Sequence, residues 1–194
     1  MKEVLQGYFD IAGRLPLATE VTDGAGKIVK LGDAFEQTLV MISRAHSAGN
    51  TLRFVGNGGS AGIASHISVD LLRRAGIRAT ALNDAAMLTC LGNDMGYEEV
   101  FAHQLSVHSR LGDILIAISS SGLSANILKG CKVARESGAE VVTFSGFDAG
   151  NSLRGLGNLN FYVASLEYGF VELTHMALLS ALVDILIGWR PEAT

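Results

Sequence analysis

The sequence predicts an α/β fold: a doubly wound, five-stranded parallel sheet flanked by helices, with further helices ahead of it. Three observations carry that expectation. Short apolar runs alternate with helical patterns from residue 51 onward, the order that builds parallel βαβ units. The run DILIAI at 113–118 is apolar with little alternation, as in a strand buried on both faces. Two strand-to-helix turns, GNGGS at 56–60 and SSSGLS at 119–124, are rich in glycine and serine. In a sheet of order 2-1-3-4-5 these turns meet at the switch point, where such folds bind ligands.

The elements follow in chain order. Residues 1–16 carry Val4, Leu5, Tyr8, Phe9, Ile11 and Ala12 at helical spacing, closed near Pro16. The polar segment Thr19–Gly26 reads as a loop. Asp33 opens a second helix with Phe35, Leu39, Val40, Ile42 and Ala45 on one face, ending near Gly49-Asn50. These two amphipathic helices need apolar partners, and another subunit would supply them. The first strand ends at Phe54-Val55, and a helix runs from about Ser60 to Arg74. A second strand spans 78–82. A helix at 85–91 is broken by Gly92-Asn93-Asp94, and 97–107 is helical again. Strand 113–118, helix 125–137, strands 140–144 and 158–163, and a long apolar helix at 167–189 complete the series. The whole chain, 1–194, reads as one domain with a helical N-terminal segment, 1–49.

Composition narrows the function classes. The chain is 48% hydrophobic and 18% charged, with a mean hydropathy of +0.32. Such an apolar chain is expected to bury surface by self-association. It has no run of about 18 uninterrupted apolar residues, which argues against a membrane span. Glu3 and Asp10 interrupt the N-terminal apolar positions, unlike a signal peptide. Cys90 and Cys131 lack metal-site spacing and read as buried free thiols of a reducing cytoplasm. A net charge of −4 without a basic block gives no electrostatic case for nucleic acid.

The chemistry concentrates in the two turns. Gly56, Gly58 and Gly59 permit backbone angles closed to other residues, and Ser60 is placed to cap the following helix. A helix N-terminus with free N–H groups suits a phosphate. The same stretch also serves as a tight turn that binds nothing. It is neither a Walker A sequence nor the GxGxxG of dinucleotide folds. Ser119, Ser121 and Ser124 can donate to phosphate oxygens, or act as turn and cap residues. Neither loop holds Lys or Arg, so hydrogen bonds and a helix dipole would do the holding.

Two further pairs join an acid to an imidazole. His66 and Asp70 stand four apart on one helix, and Glu172 and His175 three apart on another, so each pair shares a face. If the helices pack together, the four could converge on a metal or move protons. They could equally be surface pairs, or core histidines satisfied by a carboxylate. His46, His103 and His108 have no such companions.

The segments GNGGSAGIASH (56–66), LGNDMGYEEVF (91–101), GDILIAISSSGLSANIL (112–128) and VELTHMALL (171–179) resemble the SIS (sugar isomerase) domain family, in its phosphoheptose isomerase branch. The likeness covers nearly the whole chain. It implies the fold above, a homotetramer with sites between subunits, and a phosphorylated sugar as substrate. The reaction it implies interconverts sedoheptulose 7-phosphate and an aldoheptose 7-phosphate, a step of heptose biosynthesis. By position, Ser60, Ser119, Ser121 and Ser124 match phosphate-binding residues. Asn57, Arg74 and Asp94 match residues lining the sugar, and Gly58 and Ser120 lie within the same two motifs.

The departures fall on the catalytic positions. The family has a Glu where this chain has Asp70, one methylene shorter. It has a Gln, a His and a second His where this chain has Glu172, His175 and Ser180. The second His is an acid/base and a zinc ligand, and an unassisted serine cannot shuttle protons near neutral pH. Asp70 and Glu172 are therefore the expected catalytic pair. Zinc, if present, would fall to His66, Asp70 and Glu172, with His175 beside them. The alternative is a non-catalytic SIS module that binds a phosphosugar or a protein partner.

Overall fold

The computed structural model describes residues 1–191. Five parallel strands form the centre: β3 (Leu52–Gly56), β4 (Ala79–Ala81), β5 (Ile114–Ser119), β6 (Glu140–Ser145) and β7 (Leu159–Tyr162). Among themselves they take the order β7-β6-β5-β3-β4, which is the expected 2-1-3-4-5 arrangement. The helices are α1 (Lys2–Arg14), α2 (Leu31–Ser47), α3 (Gly59–Ala75), α4 (Ala85–Asp94), α5 (Ala102–His108), α6 (Ala125–Glu136) and α7 (Tyr168–Leu186).

Strand alternation sorts the core into two layers. Phe54, Ile114, Ile116, Ile118 and Phe144 face α2, α3 and α7, meeting Ile42, Ile63, Ile67, Leu178 and Leu182. Val55, Leu115, Ala117 and Val141 face the other way, meeting Leu91, Leu105, Ile127 and Cys131 from α4, α5 and α6, and Phe101 at the start of α5. Buried Asp113 ties the lower ends of β3 and β5 together. It accepts from Thr51 N at 2.8 Å and Arg53 Nη1 at 2.6 Å.

Several expectations are corrected. Thr19–Gly26 is not a loop. It holds β1 (Glu20–Asp23), which turns at Asp23, whose carboxylate accepts from Ala25 N and Lys27 N, into β2 (Ile28–Val29). β1 pairs antiparallel with β7, Val21 opposite Phe161, so among the described residues the sheet has seven strands and the segment 1–49 is only partly helical. α4 runs through Gly92-Asn93-Asp94 instead of breaking there. Asp84 caps its start at Met87 N, and Leu91 anchors it in the core. The 97–107 helix divides into a 3-10 turn at Tyr97–Glu99 and α5. Val40 lies outside the α2 core face, at 65% exposure, and Cys90 is exposed where a buried thiol was expected. Cys131 is buried, and burial pushes its thiol up to about 12.

α1 buries no side chain, and Val4, Leu5, Phe9 and Ile11 remain exposed. By length and composition α7 could cross a membrane. Here Val171, Leu178, Leu179, Leu182 and Val183 are buried, and the helix packs along α3.

Candidate active site

The site lies at the carboxyl ends of β3 and β5. Gly56 ends β3 where a Cβ would come within 2.6 Å of the Ser60 backbone, so α3 begins directly above the strand. Gly58 takes φ 53° and ψ −124°, a conformation open to glycine. It, and not Ser60, is the N-cap, and no side chain caps the helix. Ser60 sits in the first turn, 4% exposed. The N-terminal N–H groups of α3 are thus left without a side-chain acceptor, a ready anion site.

The second turn faces the first. Ser124 is the N-cap of α6 but makes no capping bond, and its Oγ stands 3.3 Å from Ser119 Oγ. Ser121 Oγ accepts from Leu123 N at 3.2 Å. Gly122, at φ +62°, lies under the buried Asn151, where any side chain would overlap the amide. Asn151 in turn donates to Gly146 O and Asp148 O. Together Asn57, Ser60, Ser119, Ser120, Ser121 and Ser124 line a pocket of about 110 Å³. Ser120 Oγ is buried there without a hydrogen-bond partner. Buried hydroxyls are seldom left so, and this one fits a ligand oxygen.

Asn57 is locked in place. It exchanges two hydrogen bonds with Asn126, at 3.0 and 2.9 Å, and accepts one from Tyr97 Oη at 3.0 Å. From α7, Tyr168 and Glu172 complete the lining. The Glu172 carboxylate lies against Gly59, where a methyl group would overlap it. An acid is thereby set beside the positive end of α3.

The remaining expected residues lie elsewhere. His66, Asp70 and Arg74 follow Ser60 by 6, 10 and 14 positions on α3. That places them about 9, 15 and 21 Å along the axis from the pocket. His66 Nε2 stands 3.5 Å from Asp70, Arg74 stands 3.4 Å from Asp70, and Arg74 also bonds Asp184 at 2.5 Å. Asp94, at the exposed end of α4, accepts from Asn93 Nδ2 and does not line the pocket.

His175 is corrected most sharply. It is fully buried, donates from Nε2 to Ser145 O at 3.1 Å, and meets Phe144 edge-on. Burial pushes its pKa down to about 4, against the pull of the Ser145 bond, so it is neutral near pH 7. It is a core residue behind the pocket and not a metal ligand. Among the described residues no three of His, Cys, Asp and Glu gather as a metal group. The expected set His66, Asp70, Glu172 and His175 therefore does not fit zinc within one chain.

Asn126, Asn151, Tyr97 and Tyr168 were missed in the sequence. The Asn126 signal was present, in a polar residue two positions after the serine turn, in the first turn of a helix.

The fold and pocket define a class: a doubly wound α/β domain with a polar cradle at its switch point. Residues 20–146 match the family model described as SIS domain, and the chain belongs to that family. It is 35% identical over 168 residues to a phosphoheptose isomerase of Rhodospirillum rubrum, covering 80% of this chain and 89% of that one. A phosphoheptose isomerase of Citrifermentans bemidjiense is 32% identical over 162 residues, covering 80% and 84%. The solved phosphoheptose isomerase of Neisseria gonorrhoeae superposes with a TM-score of 0.83 at 26% identity, covering 95% of this chain and 97% of that one.

Proposed function

We propose that this protein is a phosphosugar isomerase of the phosphoheptose type, interconverting sedoheptulose 7-phosphate and an aldoheptose 7-phosphate. The observation that carries the reading is the serine cradle, with the unpartnered Ser120 hydroxyl inside it and Glu172 at its side. The phosphate ester is held by serine hydroxyls and the N–H groups of α3. Glu172 then takes the proton from the carbon beside the carbonyl and returns it to the neighbouring carbon. Such a transfer also needs a group to handle the carbonyl oxygen. Among the described residues no second carboxylate or imidazole lines the pocket.

The His66–Asp70–Arg74 cluster has the chemistry but lies about 15 Å too far along α3. A second copy of the chain would bring its own cluster to this pocket. The reading therefore includes a homo-oligomer, a tetramer by family likeness, working in the cytoplasm. The test is incubation with sedoheptulose 7-phosphate in heavy water. Deuterium entering beside the carbonyl, and lost in Glu172→Gln, supports isomerisation. Binding without exchange excludes it.

A second reading has its own support. Ser180 stands where the family's catalytic His is expected, and it follows Glu172 by two turns of α7. A module that binds a phosphosugar, or a protein partner, without turnover would need only the cradle.

A further inference from the structure

We propose that Tyr97 is a positioning residue for the pocket: its hydroxyl fills the last acceptor site on the Asn57 amide, so that Asn57 meets a ligand as an N–H donor and nothing else. The inference deepens the isomerase reading and rests on the serine pocket being the ligand site.

A chain of contacts assigns each donor and acceptor. The backbone N–H of Ile127, shared with Ser124 O, also donates to Asn126 at 3.0 Å. A backbone N–H only donates, so the Asn126 atom that receives it is the oxygen, Oδ1. Asn126 Nδ2 then faces Asn57 at 2.9 Å and can only donate, which makes the Asn57 atom opposite it Oδ1. Tyr97 Oη donates to that same oxygen at 3.0 Å. A carboxamide oxygen has two lone pairs, and both are thereby taken. On its other side Asn57 Nδ2 gives one hydrogen to Asn126 Oδ1 at 3.0 Å. Its second hydrogen has no protein acceptor among the described residues, and Asn57 lines the pocket. One N–H is what remains for a ligand oxygen, whether of a phosphate or of a sugar.

Tyr97 owes little to the core. It is 57% exposed, yet its hydroxyl bonds a side chain of the pocket. It opens the 3-10 turn Tyr97–Glu99 directly after Gly96, whose φ of 95° suits glycine. Lys129 holds that turn from α6, pairing with Glu99 and standing 3.7 Å from Glu98. Asn126 lies one turn earlier on the same helix, so both donors to Asn57 Oδ1 are set by one frame. Without the Tyr97 hydroxyl, a lone pair of Asn57 would be open to water or to a ligand hydroxyl, and the amide would lose one of its fixed contacts.

The test is calorimetric titration of inorganic phosphate and of sedoheptulose 7-phosphate into the unaltered full chain, Tyr97→Phe, Asn57→Ala and the double variant. Tyr97→Phe should weaken binding about three- to tenfold without moving the urea unfolding midpoint. In the Asn57→Ala background the same change should alter affinity by less than about twofold, because Tyr97 acts through Asn57. A loss seen with both probes puts the N–H on a phosphate oxygen, and a loss confined to the sugar phosphate puts it on a sugar oxygen. Unchanged affinity in Tyr97→Phe, or an equal loss with and without Asn57, overturns the proposal. So does a loss of affinity matched by a fall in the unfolding midpoint. The expected pattern in a protein that gives no solvent deuterium exchange supports the positioning and counts against isomerisation alone. Binding of neither probe overturns both.

Discussion

The two ends of α3 make an instructive contrast. At its start, Ser60 joins Ser119 at the end of β5 and three serines from the loop after it in a polar pocket. Toward its end, His66, Asp70 and Arg74 form an open cluster that, among the described residues, pairs within itself and with Asp184. The first end is shaped by backbone constraints, in glycines that allow close approach and a helix left uncapped. The second is a row of long side chains on a helix face, with nothing of its own chain to act on. The single chain builds the polar pocket, and among the described residues Glu172 is the one acid in its lining.

The largest effect should come from the carboxylate that bridges the two requirements. Glu172→Gln should cut deuterium exchange by about 10²–10⁴-fold while leaving phosphate binding in place. Mixing Glu172→Gln chains with Asp70→Asn chains sharpens the point. Regained exchange means the two ends meet across subunits, and no recovery means one chain needs both. Gly56→Ala should disrupt the first end, since the new methyl collides with the Ser60 backbone 2.6 Å away. A loss of about 2–3 kcal/mol in urea unfolding, together with lost phosphate binding, is expected.

His175 supports the first end from behind, and its titration should show in stability. Its pKa is lowered from 6.5 to about 4 in the folded chain. The unfolded chain therefore binds more protons between those values, and stability falls as pH drops through that window. Between pH 7 and pH 5 the loss should be about 2 kcal/mol in urea unfolding, with the slope flattened in His175→Gln. The smallest effect is the most diagnostic. Ser120→Ala should weaken phosphate binding about tenfold yet raise stability by up to about 1 kcal/mol, because it removes an unpartnered buried hydroxyl. A loss of stability instead would mean that Ser120 serves the fold and not a ligand.

What the sequence made legible follows physical lines. The five parallel strands announce themselves because apolar runs such as ILIAI are buried on both faces. The two turns announce themselves because glycine and serine cluster where backbone must approach a ligand. The hairpin β1–β2 did not, since β2 is two residues long and Val21 is the one buried apolar side chain of β1. His175 misled because a helical i, i+3 pair with Glu172 looks like a ligand set. The spacing could not reveal that α7 turns one residue to the pocket and the other into the core against Phe144. Tyr168 carried no signal, since only its place in the pocket lining, at the start of α7, marks it.

The pairing of β1 with β7 also has a consequence for synthesis. Val21 must wait for Phe161, and at ribosomal speeds of about 5–20 residues per second the intervening stretch of about 140 residues takes roughly 7–28 s to emerge. Throughout that interval β1 has no sheet edge to join, and its backbone is open to other nascent strands. The N-terminal hairpin is thus the first part of the sheet to be made and the last to be docked. Crowded translation of this chain should expose that hairpin before any other strand to chaperones or to mispairing.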